Sequence, residues 1–430
     1  MIELDAYLDG ALIGRVVQSS GGSTEFTYDD EYLANHHTPL SLSMPMERAR
    51  HGNKPVRAFL AGLLPDSEGR LKAIASQHQV NWKNPVALLQ YMGSDAAGAV
   101  QLLPSGAESS DAAIRQGDVT LHDDDEFAEM IAEIIRNKET WAASKRGGKW
   151  SLPGAQPKVA LHKTAQGNWA TPNDSTPTTH ILKPSVPPYS DHHINEFMTM
   201  TAARHLGLNV ARDEVIRTVA GDHVFVSQRY DRELRDGTWR RLHQEDLCQA
   251  MSVMPDQKYQ TDGGPSVKQI ARLLRGSVDI ANRQSTLRSF FKSLVFNVAM
   301  QGTDAHAKNY SLLLNNKEVK LAPLYDLGSH AAYPSATGSP LELAMSIDGK
   351  YRIDAVGVEQ LVNVAKSLDI DELEARELTD AIFSKTAEAF STAGDEARQL
   401  PGLDDEGSRK FIDSLVDAIA SYSAARGWIT

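Results

Sequence analysis

The stretch that decides the fold is GTDAHAKN at residues 302–309, followed by YD at residues 325–326. Asp304 stands five residues before Asn309, and Asp326 follows a segment with the pattern of a short β-hairpin, 310–321. One carboxylate can receive the proton of an attacking hydroxyl group, while an amide oxygen and a second carboxylate can hold Mg²⁺ on phosphates. These side chains, in this order, predict phosphoryl transfer.

The spacing points to a kinase type of site. The interval from Asp304 to Asn309 equals that of the protein kinase catalytic loop, where four residues separate an Asp from an Asn. Each residue alone could belong to an ordinary turn, but the ordered set with a hairpin inside it favours a kinase-type enzyme. His306 could be a metal ligand, yet no His or Cys stands at ligand spacing, so a structural role or a phosphate contact is favoured.

Composition and charge limit the classes of protein to which the chain can belong. The 430 residues are 41% hydrophobic and 23% charged, as in globular proteins, and can form two or three lobes. The formal charge is 44 − 56 = −12, which argues against gripping nucleic acid unaided. The single cysteine, Cys248, excludes an internal disulfide and fits the cytosol. No apolar run predicts a membrane span, so the expected location is cytoplasmic.

The sequence predicts an α+β, bilobal, protein-kinase-like fold. Residues 1–105 read as an N-terminal α/β subdomain that starts with a hairpin around Asp9-Gly10. Residues 106–245 read as a sheet-rich kinase N-lobe, entered through a Ser/Gly/Asp-rich linker at 104–118. Residues 246–430 read as an all-helical C-lobe, with the hairpin at 310–321 as the only exception. A cleft between the lobes would bind the nucleotide.

The segment KRGGKWSLPGAQPK, residues 145–158, is rich in Gly and in basic residues and leads into a strand. Small residues let backbone N–H groups approach a polyphosphate, and neighbouring cations favour its charge. The segment matches neither the Walker pattern nor the kinase Gly-rich loop. Taken alone, it is more typical of a surface loop.

Two further positions fit a nucleotide site. Lys183 ends a strand, where it can reach phosphate oxygens, and Glu196 stands 13 residues later on a helix, as the partner carboxylate does in kinases. Both residues could equally be solvent-exposed, so their pairing stays a hypothesis. The strand at 223–228 runs into Arg229 and Tyr230, where an interlobe hinge could contact adenine through its backbone.

Several motifs in the right order resemble the HipA family of serine/threonine-kinase toxins from bacterial HipBA toxin–antitoxin modules. The resemblance extends over nearly the whole chain. It rests on these segments: SLPGAQPK at 151–158, TTHILK at 178–183, TDAHAKN at 303–309, LYD at 324–326, PLSLSMP at 39–45, LLPDS at 63–67, GAV at 98–100, QEDLCQ at 244–249 and YQTDGGP at 259–265.

This resemblance implies roles for single residues. Asp304 would be the catalytic base, and Asn309 and Asp326 would hold Mg²⁺. Ser151 would be an autophosphorylated serine whose modification drives the loop out of the cleft, with Arg146, Lys149 or Lys158 holding the displaced loop. The implied ATP contacts are Pro153, Gly154, Ala155, Gln156, Pro157, Lys158, Lys183, Gln228, Arg229, Tyr230, His306, Ala307, Lys308, Asn309, Tyr325 and Asp326.

The resemblance also implies partners. A HipB-like helix-turn-helix antitoxin would bind the chain and place it on operator DNA, and the implied protein substrate is an aminoacyl-tRNA synthetase. Gln228 replaces an acidic residue common at the hinge, Ala305 replaces a glycine, and Pro153 and Pro157 remove two N–H donors from the loop. Two rivals stay open: a catalytically silent ATP-binding co-repressor module, and an enzyme that transfers AMP.

Overall fold

The computed structural model of the chain describes residues 1–107, 110–140, 150–187, 191–333 and 340–429. Two antiparallel sheets, of five and six strands, come first along the chain, and most of the long helices follow them. This arrangement is the mixed architecture that the sequence predicts.

The N-terminal sheet starts with a tight hairpin. Its strands are β1 Ile2–Leu8, β2 Ala11–Gln18, β3 Thr24–Tyr28, β4 Arg50–His51 and β5 Val100–Pro104. They lie in the order β4-β3-β2-β1-β5. Asp9 and Gly10 join the first two strands with φ angles of +48° and +88°, the left-handed conformations that a two-residue hairpin turn requires. The predicted hairpin is therefore present.

Four helices pack on this sheet: α1 Asp30–Asn35, α2 Asn53–Gly62, α3 Glu68–His78 and α4 Pro85–Met92. Side chains of the sheet, such as Leu4, Ile13 and Phe26, form one buried cluster with Phe59 and Leu88 of the helices. The N-terminal part of the chain thus has a hydrophobic core of its own.

Helix α3 is an element that the sequence analysis misses. Ser67 caps it by accepting a hydrogen bond from the backbone N–H of Arg70. Its buried residues are Arg70, Ile74 and Ala75, so a charged residue occupies part of the inward face and weakens the apolar period. The guanidinium of Arg70 donates to the carbonyl of Ala155, which brings this helix to the predicted phosphate loop.

The segment 104–118, predicted to be a linker, is fastened to the fold. It contains a short helix, α5 Ser110–Ala113. The carbonyl of Ala112 accepts hydrogen bonds from the side chains of Gln101 and Ser175. A backbone carbonyl makes these bonds, and residue composition does not report such a group, so a segment that reads as a linker is held by Gln101 of β5 and by Ser175.

The second sheet forms the next layer. Its strands are β6 Val119–Leu121, β7 Val159–Lys163, β8 Trp169–Pro172, β9 His180–Pro184, β10 Asp213–Arg217 and β11 His223–Gln228, and its helices are α6 Asp124–Arg136 and α7 His192–His205. The strand order is β10-β11-β9-β7-β8-β6. Val224 and Val226 of β11 pack with α6, while Phe225 joins the cluster of α7, as alternation along a strand requires.

The rest of the chain is mostly helical. Its helices are α8 Leu247–Ala250, α9 Val267–Ser277, α10 Ile280–Ala299, α11 Val358–Ala365, α12 Glu372–Ala397 and α13 Glu406–Ala425. Helix α10 precedes the loop that carries Asp304, and its side chains Phe290, Phe291 and Val295 are fully buried. Of the helices that the structure describes, none combines the length and apolar character needed to cross a membrane.

The prediction of an all-helical C-lobe is wrong in detail. Strands β12 Arg232–Arg235 and β13 Thr238–Arg241 still belong to the predicted N-lobe, and β14 His243–Asp246 crosses its end at residue 245. Within residues 246–430 the chain forms β15 Ser311–Asn315, β16 Glu318–Leu321, β17 Glu342–Ile347 and β18 Lys350–Arg352, of which the last two have no counterpart in the prediction. The predicted 310–321 hairpin exists, but it pairs with β14 in a three-stranded sheet. All four residues of β14 are polar and buried, so its sequence shows no apolar alternation.

Candidate active site

A cavity of about 590 Å³ lies between the six-stranded sheet and the helical part of the chain. Its walls include the loop after Trp150, the ends of β9 and β11, helix α7, and both acidic motifs. Among the predicted catalytic and nucleotide-binding residues, Ser151, Pro157 and Ala307 are the ones that do not line it. The fold therefore brings together residues that are far apart in sequence.

Lys183 forms ion pairs with two carboxylates in this cavity. Its Nζ lies 2.6 Å from Oε1 of Glu196 and 2.6 Å from Oδ1 of Asp326. Strand β9 presents the lysine, opposite Phe225 of β11, and helix α7 presents Glu196. The Lys183–Glu196 pair, which the sequence leaves open, is formed.

Burial and charge shift the pKa of each member of this group. Burial lowers the pKa of Lys183, but Asp326 and Glu196 outweigh burial and raise it above its ordinary value. Burial raises the pKa of Glu196 to about 7, against the effect of Lys183. For Asp326 burial is opposed by Lys183 and Lys158, which together hold its pKa well below the usual range. Perturbed groups that share a cavity are typical of functional sites.

Asp304 stands on the solvent side of the cavity, with 59% of its side chain exposed. The hydroxyl of Tyr259 donates a hydrogen bond to its Oδ1, and Nε2 of His306 lies 3.8 Å from the same oxygen. The amide nitrogen of Asn309 donates to the backbone carbonyl of Asp304 at 2.8 Å. This bond fixes the loop and does not use the amide oxygen, the atom that a cation would bind.

His306 is a buried part of this loop. Its ring meets Tyr259 edge-on, with the ring centroids 5.0 Å apart. Burial lowers its pKa to about 4, so the imidazole is neutral at pH 7. These contacts favour the structural role that the sequence suggests.

Tyr325 and Asp326 lie beside the loop that carries Asp304, and Tyr325 contacts it. Asp326 adopts a left-handed conformation with φ of +57°. The hydroxyl of Tyr325 donates to the carbonyl of Lys308 at 2.8 Å, and its ring stacks on Tyr230 at a centroid distance of 5.7 Å. Through these contacts, the residue before Asp326 binds both the catalytic loop and the predicted hinge.

The predicted phosphate loop is docked on the N-terminal subdomain. The fully buried hydroxyl of Ser151 donates to the carbonyl of Leu63 at 2.7 Å, and its backbone N–H donates to the carbonyl of Asp95 at 2.9 Å. The backbone N–H of Asp66 donates to the carbonyl of Gly154 at 3.2 Å. Ser151 is thus inaccessible in this conformation of the loop.

The side chain of Lys158 binds the backbone of the same loop. Its Nζ donates to the carbonyl of Pro153 at 2.7 Å. Burial, and then the charge of Lys183, lower the pKa of Lys158 to about 8. Gly154 has a φ of +103°, a left-handed conformation that strains other residues, and a Cβ there would also displace this Nζ. The basic residues Arg146 and Lys149 lie outside the described residues.

The predicted hinge lines the cavity, but its backbone N–H groups have protein partners. Gln228 N–H donates to the carbonyl of Arg212 at 2.8 Å, and Arg229 N–H donates to that of Thr179 at 2.9 Å. The Arg229 guanidinium is buried and forms an ion pair with Asp231. Contacts with a nucleotide base at this hinge would therefore use carbonyl groups or Tyr230.

Asp66, Lys258 and Tyr259 are among the charged or polar residues of the cavity to which the sequence assigns no role. All three lie in or beside motifs of the family resemblance, LLPDS and YQTDGGP, which gave no role for them. A charged residue next to Pro65 and another next to Tyr259 were the available signals. Their partners are far away in sequence, so spacing alone could not connect them.

Comparisons with known proteins identify similar chains. Residues 4–103 match the model of the HipA N-terminal domain, and residues 150–392 match that of the HipA-like C-terminal domain. The provisionally named kinase Y4mE of Sinorhizobium fredii is 34% identical over 96% of this chain and 96% of its own. The serine/threonine-protein kinase toxin HipA of Shewanella oneidensis is 27% identical, covering 94% of this chain and 92% of that protein.

A solved structure shares the fold. It contains HipA of Shewanella oneidensis MR-1 in a toxin–antitoxin complex with HipB and operator DNA. The match has a TM-score of 0.81 and 23% identity, and covers 98% of this chain and 97% of that one. The predicted α+β kinase-like fold is confirmed.

Proposed function

The chain belongs to the HipA family, and on that premise we propose that it is an ATP- and Mg²⁺-dependent protein serine/threonine kinase, the toxin of a toxin–antitoxin module. One observation carries the proposal. Asp304, Asn309, Asp326 and Lys183 line one cavity, and Lys183 pairs with both Glu196 and Asp326. Phosphoryl transfer in protein kinases requires a lysine paired with a helix carboxylate and a second carboxylate that holds Mg²⁺.

In the proposed reaction Asp304 is the general base. Its carboxylate takes the proton of a serine or threonine hydroxyl while the hydroxyl oxygen bonds to the γ-phosphorus and the bond to ADP breaks. Its exposed side chain suits a protein substrate, whose hydroxyl group must enter from solvent. Lys183 and Lys158 would hold phosphate oxygens, and Lys308 stands in the same loop as the base.

Asn309 and Asp326 would hold Mg²⁺, which would neutralise the phosphate charge when bound. Mg²⁺ prefers oxygen ligands and usually takes one or two carboxylates together with substrate phosphates. An amide oxygen and a carboxylate on one cavity wall fit that preference. Within the described ranges, no group of three or more His, Cys, Asp or Glu side chains forms a ready metal site.

Ser151 is the proposed site of autophosphorylation. A phosphoryl group brings about −1.5 to −2 charges and three acceptor oxygens. The Ser151 hydroxyl now donates to one carbonyl and its N–H to another, so a phosphate there would face acceptors that cannot bind it. Modification should therefore expel the loop from the cleft and silence the kinase.

The proposed partners follow from the family. A HipB-like helix-turn-helix antitoxin would bind the chain and carry it onto operator DNA, which suits a formal charge of −12. The solved complex of HipA from Shewanella oneidensis with HipB and operator DNA supports this assignment. The proposed substrate is an aminoacyl-tRNA synthetase in the cytoplasm.

The proposal is tested by incubating the chain with a bacterial lysate and labelled ATP, with Asp304→Gln as the matched control. ATP labelled on the γ-phosphate should label a lysate protein with the unmodified chain and not with the variant. ATP labelled on the α-phosphate should label nothing, whereas transfer of AMP would reverse this pattern. Equal γ-labelling by the variant would remove Asp304 from its assigned role.

The silent co-repressor is separated by the same experiment. A chain that only binds ATP would bind nucleotide in a titration. It would label no lysate protein, whether the ATP carries its label on the γ-phosphate or on the α-phosphate. The perturbed charges of the cavity, and an Oε2 of Glu196 that has no hydrogen-bond partner among the described residues, favour a working site over a purely structural one.

A further inference from the structure

Asp66 projects from the N-terminal subdomain into the catalytic cavity. Its Oδ2 lies 2.9 Å from Nζ of Lys258, and its Oδ1 pairs with Nζ of Lys308. Its side chain is only 13% exposed, and that of Lys308 is 3% exposed. Burial is opposed by the charges of Lys308 and Lys258, which lower the pKa of Asp66 to about 2. One carboxylate thus holds two lysines of the helical part of the chain.

The backbone at Asp66 is bound to the predicted phosphate loop. Pro65 forms a β-bridge with Gly154, and the backbone N–H of Asp66 donates to the Gly154 carbonyl. On the next helix, Arg70 donates to the carbonyl of Ala155. The position of Asp66 therefore depends on the loop being docked.

A short path leads from Asp66 to the proposed catalytic base. Lys258 is followed by Tyr259, and the hydroxyl of Tyr259 donates to the carboxylate of Asp304. Lys308 lies in the same loop as Asp304 and directly precedes Asn309. Both lysines held by Asp66 are thus neighbours, along the chain, of groups that the reaction needs.

We propose that Asp66 is a positioning residue through which the N-terminal subdomain sets the geometry of the catalytic loop. It holds Lys308 directly and orients Asp304 through Lys258 and Tyr259, and it does so while the phosphate loop is docked at Gly154. This inference rests on the proposed kinase function and adds to it. The subdomain becomes part of the catalytic apparatus instead of a separate docking module.

Loss of the carboxylate should disturb the site and leave the fold intact. In Asp66→Asn two ammonium groups would face each other without a counter-charge. Lys258, the more exposed of the two at 18%, would turn toward solvent and loosen its neighbour Tyr259. A displacement of about 1 Å in a catalytic group can reduce the rate about 100-fold.

The test uses full-length protein that has first been treated with a phosphatase. It measures the rate at which this protein incorporates phosphate into itself at increasing ATP concentrations. Asp66→Asn should lower the maximal rate by about 10- to 100-fold and change the half-saturating ATP concentration by less than about threefold. Asp66→Glu should recover most of the rate, because the charge is restored. Glu68→Gln, an amide substitution at an exposed pair on the adjacent helix, should match the unmodified chain.

A double-mutant cycle tests the path itself. Lys258→Met should also lower the maximal rate, and the double variant with Asp66→Asn should lose far less than the product of the two single effects. Losses that multiply, or an unchanged rate in Asp66→Asn, would overturn the inference. If the unmodified chain incorporates no phosphate, it is the proposed function that fails.

Discussion

Two buried clusters of charge in this molecule look alike by burial and differ in what they leave unsatisfied. The arginine clasp comprises Asp95, Arg229, Asp231, Arg232 and Arg241, and joins the N-terminal subdomain to the second sheet. The cleft cluster comprises Lys158, Lys183, Glu196 and Asp326. Both contain pKa values far from ordinary ones, so a perturbed pKa alone does not identify the active site.

The charged groups of the clasp pair with one another. Its arginines also donate to carbonyl groups, such as those of Ala96 and Gly98, and its side-chain atoms have hydrogen-bond partners. In the cleft cluster Oε2 of Glu196 has no hydrogen-bond partner among the described residues, and Lys158 finds only a carbonyl. Groups that keep unused bonding capacity beside a cavity are the ones prepared for a ligand.

The sharpest separation of the two clusters should come from Lys183→Met. Loss of this ammonium group removes a phosphate contact, so transfer should fall by about 10²- to 10³-fold. Stability should change little, because Asp326 is 34% exposed and Glu196 can take up a proton. Rates and urea unfolding measured on one preparation check both statements. A large loss of stability with normal transfer would reverse the assignment.

The clasp should show the opposite behaviour. Asp95→Asn leaves three buried arginines with one carboxylate, and breaking a buried ion pair costs about 3–5 kcal/mol. The free energy of unfolding should fall by that amount, while the folded fraction keeps its affinity for ATP. Glu359→Gln, which removes an exposed pair with Arg376, is the control and should leave unfolding unchanged. Normal stability in Asp95→Asn would show that the clasp does not hold the N-terminal subdomain to the second sheet.

A third buried carboxylate, Glu245, predicts a pH dependence of stability. It accepts hydrogen bonds from Ser41 and from the N–H of Leu42, and burial raises its pKa to about 8. The folded chain therefore binds a proton that the unfolded chain releases above pH 4.5, the unperturbed pKa. Stability from this group is present at low pH and is lost as pH rises through about 8.

Between pH 5 and 8 the free energy of unfolding should fall by roughly 2–4 kcal/mol because of Glu245. Urea unfolding across this range, compared with Glu245→Gln, isolates the effect. The variant should be flatter with pH and more stable than the unmodified chain at pH 8. Parallel curves for the two proteins would mean that Glu245 is ionised throughout.

The smallest effect concerns Lys158 of the cleft cluster. Its pKa of about 8 means that its charge is lost as pH rises from 7 to 9. ATP should stabilise the charged form, so affinity should weaken by about tenfold over this range. Titrations with Lys158→Arg, which stays charged, should lose that part of the pH dependence. Affinity that is independent of pH in the unmodified chain would place Lys158 away from the phosphates.

The sequence predicts the residues of the candidate site better than the elements around them. Asp304, Asn309 and Asp326 line one cavity, as expected from their local spacing, and the hairpin between them has ordinary alternation. Strand β14 and helix α3 could not be, since one is wholly polar and the other buries Arg70. Asp66 was missed because its partners, Lys258 and Lys308, lie about 190 and 240 residues away, and only folding connects them.

The central claim is that one cavity holds ATP and transfers its γ-phosphate. The most direct measurement is the intact mass of phosphatase-treated protein before and after incubation with ATP and Mg²⁺, followed by peptide mapping. The expected result is a gain of one phosphoryl group at Ser151 in the unmodified chain and no gain in Asp304→Gln. An unmodified chain that binds ATP and gains no phosphate, or a variant that gains as much, would contradict it.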